Sequence, residues 1–572
     1  MSVPPRATVV EVLACFGTDF ASMAASFARG EYLLWLGSGI SRDVVPDVRI
    51  MIRRLLEFLQ AKADPTDPNC RFEKALGEVL DVAGIPAPRR ELIDLAEDVS
   101  AWPDLDDTLD RLIDRYSDVL GVHVQGEAAD FLVWDGLDVP TTYGSASLEP
   151  DVEHLCIAIL MLEGLVRSAP TTNWDGLVER AMEQVSGGRQ RLLNVVVRSS
   201  DFTAPACRAE LLKFHGCAVR AAVDPGEYRH RLIARRTQID SWLSNVENQM
   251  MRNHLENLFA SRPALILGLS AQDANIHAML HRAREGHARI WPAEPPAVVF
   301  AEQTLHRHHR AVLGATYGDD AYAASSQPIE TSALLGAYAK PALVALVLFG
   351  LADKLCALIA PEGLALNSDD IERLRADIRR LRDTVGGYAH EDLRLFVDSL
   401  VSSVALVMSV FRAGAIPGGS PGSYEPLSVA PVAESLADPD FPVAALGRLA
   451  LVVALLGRGL SEGLWTLVSG SMESPGDGVL RVATTKQNSH VFVVRNARAH
   501  SQLELGGVLD PNDSGALVLL TEAAKSPATR SPRGHYGRTG RRGLRLLDLE
   551  AMCATVETAD ELFEAFRLEG AL

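Results

Sequence analysis

Short apolar runs that end in small or polar residues alternate with helix-spaced apolar positions through the first half of the chain. Val9, Val12, Leu13, Phe16 and Phe20 predict one leading amphipathic helix within residues 1–30, and Tyr32–Leu36 reads as a buried strand. A helix is expected over about Asp47–Lys62. The turn cluster Asp64–Asn69 then opens a mainly helical, carboxylate-rich insertion spanning about residues 63–130. The alternation resumes with a helix near Val152–Leu165, a polar turn at Asn173, a helix at Gly176–Gln184, a strand at Leu193–Val197 and a strand ending at His215. A long charged helical segment is expected from about Tyr228 to Phe259. A strand at Ala264–Leu269, a helix at Asp273–Arg284 and a strand at Ala297–Ala301 follow it. Such an order predicts an α/β fold: a Rossmann-like, mostly parallel sheet with helices on both faces and helical insertions.

Beyond about residue 325 the pattern changes. Residues 332–412 read as helices rich in Ala, Leu and Val, Gly414–Ser423 as a loop or linker, and Val443–Leu467 as helical again. Val479–Thr484, Val491–Val494 and Ala516–Leu520 are strand candidates, and Ala559–Phe566 is a last helix. We therefore expect residues 1–325 to form one domain. Residues 326–572 would form a second region for sensing or assembly, mainly helical to about 470 and α+β at its end. Three stretches are apolar enough to raise the question of a membrane: Pro341–Ala352, Val397–Phe411 and Ala444–Leu460. Charges within or beside them, against the run of about 20 apolar residues a span needs, favour buried helices of a soluble bundle and no membrane.

Composition narrows the classes. A net charge of −19 argues against a general nucleic-acid coat, which wants a basic footprint. The exception is Lys525–Arg545, where Arg530, Arg533, Arg538, Arg541 and Arg542 make a basic, glycine-rich stretch. It is a candidate contact for nucleic acid, another anion or an acidic partner, set against a surface loop or a self-association contact. The seven cysteines are scattered with no Cys-x-x-Cys pair, and no basic segment leads into an apolar run at the N-terminus. Both point to the reducing cytoplasm.

The candidate chemistry lies in turns that follow the predicted strands. Gly37-Ser38-Gly39, with Ser41 beyond it, offers a turn where backbone can approach a phosphate and where the next helix can present its N-terminal amides. A strand-ending turn without a ligand would read the same, and Arg42 stands where the dinucleotide fingerprint has its third glycine. Thr172, Asn173 and Asp175 follow a strand end. Asp175 by itself reads as a helix cap, whereas the Asn173 amide suits the placing of a water or a ribose hydroxyl. His215, before Gly216, could accept a proton near neutral pH, although a lone strand-end histidine is more often a packed one. Gly268, Ser270 and Asp273 end another strand, Asp273 reading either as a cap or as a ligand contact. His306–Arg310 groups histidines with arginines on what reads as an exposed helix, so no metal is assigned there.

Together these turns resemble the sirtuin superfamily, and more closely the sirtuin-like NAD-consuming domains of bacterial antiphage defence. Gly37-Ser38-Gly39-Ile40-Ser41 is similar to that family's Gly-Ala-Gly-Ile-Ser turn, and Thr172-Asn173-Trp174-Asp175-Gly176-Leu177 to its Gln-Asn-x-Asp-Gly-Leu element. Phe214-His215-Gly216 matches the His-Gly motif, Gly-x-Ser-x-x-Asp ending at Asp273 is typical of the defence branch, and Pro46–Arg49 is similar to Pro-Asp-Phe-Arg. The resemblance covers about residues 28–310. It implies NAD as substrate, with Asn173 holding the water or ribose, His215 as base, and Asp175 on the nicotinamide amide. Gly37, Ser38, Gly39, Ser41, Thr172, Gly268, Ser270 and Asp273 would line the rest of the NAD site. The four-cysteine zinc module of sirtuin deacylases is missing between His215 and the Gly268 strand, where Cys217 stands alone. No zinc is expected, and water is the expected acceptor. The resemblance thus implies an NAD glycohydrolase of antiphage defence, acting by NAD depletion. It would be restrained by its C-terminal region, by homo-oligomerisation, or by a protein partner or phage-derived trigger. Its rivals are an NAD-dependent protein deacylase and a non-hydrolytic NAD or ADP-ribose sensor. A third arrangement puts the main activity in a partner such as a helicase, nuclease or Argonaute-like protein, with this chain as effector.

Overall fold

In the computed structural model, which describes residues 7–572 apart from 65, 96, 288, 360–365, 391, 418–422, 472 and 524–542, six parallel strands form the first sheet. They are β1 (Leu33–Leu36), β2 (Ser168–Thr171), β3 (Leu193–Val196), β4 (Ala209–Lys213), β5 (Ala264–Leu267) and β6 (Val298–Ala301), in the order β3-β4-β2-β1-β5-β6. β1, β2, β5 and β6 are buried along their whole length, as parallel strands covered by helices on both faces must be. From β1 the chain crosses to β2 on one side, and from β5 to β6 on the other. The reversal between neighbouring β1 and β5 opens a crevice at their carboxyl ends. The Rossmann-like α/β expectation is met.

Several helices differ from the sequence expectation, each for a local reason. The leading helix is two, Val9–Phe16 and Ala21–Ala28, set 92° apart where Gly17 ends the first. The charged segment before β5 is broken into short helices, of which Arg236–Ser241 and Gln249–Ser261 are the longer, with a turn at Asn245 whose side chain caps the next one. The helical insertion packs on the Val48–Lys62 helix and continues to Thr142. Here Leu55, Leu56 and Leu59 meet Leu76, Leu80, Leu109 and Leu112.

The packing does not break at residue 325. The Ala339–Leu358 helix lies against Val152–Leu162 and the two leading helices, so Leu343, Leu346 and Val347 share one core with Leu160, Phe16 and Leu34. A buried polar knot fastens this contact. Lys354 Nζ donates to the Glu163 carbonyl (2.6 Å), Glu163 Oε2 (2.7 Å) and the Ser428 carbonyl (2.8 Å). Glu163 Oε1 accepts from Tyr424 Oη (2.7 Å) and the Leu427 amide (3.1 Å).

The remainder holds the long helices Ser368–Gly386, Leu393–Ala413 and Val443–Ser461 and a five-stranded sheet in the order β11-β10-β9-β8-β7. Its strands are β7 (Thr466–Ser469), β8 (Leu480–Ala483), β9 (Asn488–Val494), β10 (Ala516–Leu520) and β11 (Arg545–Asp548). The sequence reading has only β8, β9 and β10, and carries the preceding helix through Leu467. That helix stops at Ser461, because Gly463 turns left-handed (φ 70°), and the chain goes straight into β7. Ala339–Leu358, Leu393–Ala413 and Val443–Ser461 are long and apolar enough to cross a membrane. The protein encloses 67%, 33% and 61% of their apolar windows, so the first and third are largely interior. Of the basic stretch, Lys525, Arg530, Arg533, Arg538, Arg541 and Arg542 lie outside the described residues. Arg545 is a tie within the sheet, donating to Ser489 Oγ (2.7 Å) and the Gly515 carbonyl (3.1 Å).

Candidate active site

A cleft of about 440 Å³ opens at the carboxyl ends of β1, β2, β4 and β5, within the ~300–1,000 Å³ range of small-molecule sites. Ser38, Gly39, Thr172, Asn173, Asp175, His215, Gly268, Ser270 and Asp273 all line it. Gly37 and Ser41 sit just behind, the one against the β5 turn and the other bonded to Asn173.

The glycine turn packs closely on the turn after β5. The Gly37 amide donates to the Leu267 carbonyl (2.9 Å) and the Gly39 amide to that of Gly268 (2.8 Å), so both are engaged by the neighbouring turn. A Cβ on Gly39 would stand 2.6 Å from Gly268 Cα, and one on Gly37 2.4 Å from Leu269 Cα. These glycines let two turns touch across the β1/β5 crevice. A short 3₁₀ turn, Ser38–Ser41, comes before the next long helix, and Asp47 Oδ1 caps Val48–Lys62 through the Ile50 amide (2.9 Å). Gly39→Ala should therefore part the turns and destabilise the protein by about 1–3 kcal/mol, measured by denaturant unfolding.

Asn173 is held by a chain of polar groups. The Asp151 amide donates to His154 Nδ1 (3.1 Å), which leaves the ring proton on Nε2, 3.0 Å from Ser41 Oγ. Ser41 Oγ also accepts from Asn173 Nδ2 (3.3 Å). Burial lowers the His154 pKa, Asp175 and Asp151 opposing, which keeps its ring neutral. Asn173 is buried and its Oδ1 has no hydrogen-bond partner, an acceptor left open in the wall of the cleft. Below it, the fully buried Lys213 ammonium reaches the Asp175 carbonyl and Glu179 Oε1 (2.8 Å) and so fixes the 173–175 turn. Asp175 Oδ1 accepts from the Leu177 amide (3.1 Å), which is the capping role.

His215 sits in a second group. Gly216 takes φ 96°, and a Cβ there would meet the Arg231 carbonyl at 2.5 Å. The Trp242 indole donates to the Phe214 carbonyl (3.0 Å) and the Ile233 amide to the His215 carbonyl (2.9 Å). The segment after the turn thus clamps the Phe214 and His215 carbonyls, Trp242 with its side chain and Ile233 with its backbone amide. The imidazole is 3% exposed, with Nε2 accepting from Asn275 Nδ2 (3.0 Å) and Nδ1 3.9 Å from Asp273 Oδ2. Burial lowers its pKa, Asp273 and Asn275 opposing, so the ring is a neutral base near pH 7. Asp273 makes no cap hydrogen bond to the helix it precedes, and its Oδ1 accepts instead from Tyr116 Oη (2.5 Å), a residue of the helical insertion. Tyr116→Phe removes that donor and leaves the carboxylate to His215, so the acid limb of a pH–rate profile should move to higher pH; an unmoved limb would exclude the link.

Tyr116, His154, Lys213 and Asn275 escape the sequence reading, although Lys213 ends β4 directly before Phe214-His215-Gly216 and Asn275 lies two residues after Asp273. His309 is not exposed as expected: it is buried at 1%, with Nε2 donating to the Leu269 carbonyl (2.9 Å) and Nδ1 accepting from the His306 amide (3.4 Å). Both its nitrogens are engaged by backbone. Among the described residues, no group of three or more His, Cys, Asp or Glu is placed to hold a metal ion.

Residues 167–322 match a family model described as a SIR2-like domain. The match spans β2 to β6 and includes Asn173, His215 and Asp273; β1 and its glycine turn precede it. No curated protein matches the chain. Over residues 167–322 the chain is thus similar to SIR2-like domains, a match that suggests NAD-related chemistry at the superfamily level.

Proposed function

We propose that the protein is an NAD glycohydrolase, releasing nicotinamide and ADP-ribose. The observation that carries the reading is the pairing, in one cleft, of an open buried acceptor, Asn173 Oδ1, with a neutral buried base, His215. Hydrolysis joins a water oxygen to C1′ of the nicotinamide ribose as the C1′–N bond breaks. The bond pair leaves with nicotinamide and the water proton passes to a base. Asn173 Oδ1 accepts from that water or from a ribose hydroxyl, and its amide nitrogen is already tied to Ser41, so its orientation is set before substrate arrives. His215 takes the proton at Nε2 once substrate replaces Asn275 there. Asp273 lies near Nδ1 and stabilises the imidazolium that results. Asp175 holds its turn and presents its other oxygen to the nicotinamide amide. Thr172 and Ser270 contact ribose hydroxyls, while Ser38 and the Arg42 guanidinium face the phosphates; Arg42 is anchored by its Nε on the Gly39 carbonyl (3.2 Å).

The acceptor separates this reading from a deacylase. NAD consumption by the purified chain should proceed without an acyl-lysine peptide, and adding one should yield no O-acyl-ADP-ribose. Consumption that depends on the peptide would favour the deacylase. In the cell, depletion of NAD in the cytoplasm would serve antiphage defence, with the C-terminal region, self-association or a partner keeping the enzyme silent. The Lys340 ammonium, at the start of the Ala339–Leu358 helix, supports that coupling by pairing with Asp43 (2.5 Å), just past the glycine turn, and Asp151 (2.7 Å).

A further inference from the structure

A second cavity, of about 720 Å³, opens at the other end of the first sheet, among residues that precede β1, β2, β5 and β6. These strands are four residues long, so about 13 Å of sheet separates it from the candidate active site. Four arginines line it, on a chain whose net charge is −19. Two are neutralised: Arg29 pairs with Glu31 (2.8 Å) and Arg167 with Glu434. Among the described residues neither Arg262 nor Arg289 forms an ion pair, although the Glu210 carboxylate lies within electrostatic range of Arg262. Each keeps one guanidinium nitrogen, Nη1 of Arg262 and Nη2 of Arg289, buried without an acceptor. Glu294 is the remaining carboxylate of the lining and His287 a further potential cation. Burial lowers the Arg289 pKa, with Tyr317 and Tyr32 opposing; these phenols offer no fixed counter-charge at neutral pH. Two guanidinium groups part-withdrawn from water, each with a buried nitrogen that no anion hydrogen-bonds, are an unfavourable arrangement that an anionic ligand relieves.

We propose that this cavity binds a small organic phosphate, its phosphoryl group held by Arg262 and Arg289. The planar guanidinium fork matches phosphate oxygens in pairs, which makes arginine the common choice for that group. The cavity is far larger than a bare ion, and part of its lining is apolar. Pro263, Pro295 and Ile290 are in its lining, and Ile290, 80% exposed, is covered when the less polar part of a ligand lies on it.

The test is calorimetric titration of the full chain with AMP, inorganic phosphate and adenosine at fixed ionic strength. It uses wild type, Arg262→Gln/Arg289→Gln and the cleft variant Asn173→Ala/His215→Ala. AMP should bind more tightly than phosphate and adenosine should not bind. The arginine variant should weaken AMP at least about tenfold, and the cleft variant should leave it unchanged. Equal affinities for AMP and phosphate would overturn the organic ligand. AMP binding lost only in the cleft variant, or no binding at millimolar AMP, would overturn the site. Amide hydrogen exchange of wild type covers a misfolded variant: AMP should slow exchange around residues 261–264 and 287–294, and unchanged exchange there would also overturn it.

Discussion

His215→Ala should cut NAD cleavage about 10²–10⁴-fold, the usual worth of a positioned general base. The loss should fall on kcat, because the imidazole lies 3% exposed at the back of the cleft and acts on a proton. Its pH dependence follows from burial. The pKa is lowered below the ordinary histidine value, so the base stays deprotonated as pH falls through ~6.5, and the acid limb of kcat lies below that. The sign for stability agrees. A histidine depressed in the folded state gives a contribution present above its unfolded pKa and lost as pH falls through the folded one. An acid limb well above pH 6.5 would contradict a buried neutral base. Asn173→Ala should reach a similar loss by a different route, since the water or ribose loses its acceptor while His215 still titrates.

The largest effect on stability is expected at Lys354. Lys354→Met removes the cation from three acceptors at 2.6–2.8 Å and leaves the Glu163 carboxylate buried with only Tyr424 and the Leu427 amide. Both side chains are 1% exposed, so solvent cannot take over. Breaking one partner of such a pair costs about 3–5 kcal/mol, which denaturant unfolding would show. Adding Glu163→Gln to Lys354→Met should recover part of the loss, because the stranded charge is then gone. A single variant within about 0.5 kcal/mol of wild type would mean that the knot does not hold the Ala339–Leu358 helix to the sheet. That helix shares its core with the strands beneath the cleft, so NAD turnover should fall together with stability at this position.

The parts of this fold legible in the sequence are those where burial and pattern coincide. Leu33–Leu36 and Ala264–Leu267 are apolar throughout because both faces of a parallel strand are covered, and their turns mark the crevice directly. β2 is the opposite case. Ser168-Ala-Pro-Thr171 has no apolar run, and Pro170 cannot donate to a ladder, so only the polar turn after it gives the strand away. Its pairing with β1 is at Leu36 and Thr171, past the proline. β7 is masked by the apolar helix that leads into it until Gly463 turns the chain.

In the site, the strand-end residues were legible because position, rather than residue type, marks them. Their supports were not. Lys213 looks like an ordinary strand-end lysine until Glu179 and the Asp175 carbonyl are found around it. Tyr116 comes from an insertion whose pattern says only that it is helical, yet it reaches Asp273 across 157 residues of sequence. In the glycine turn, a glycine that admits a phosphate and one that admits another backbone leave the same trace in a sequence.

The most direct test is to incubate NAD with the purified full chain and quantify nicotinamide and ADP-ribose, beside Asn173→Ala and His215→Ala shown by circular dichroism to be folded. The account predicts the two products in equal amounts from wild type and their loss in both variants. Products undiminished in the variants, or NAD bound by wild type without cleavage even when phage-infected cell extract is added, would contradict it.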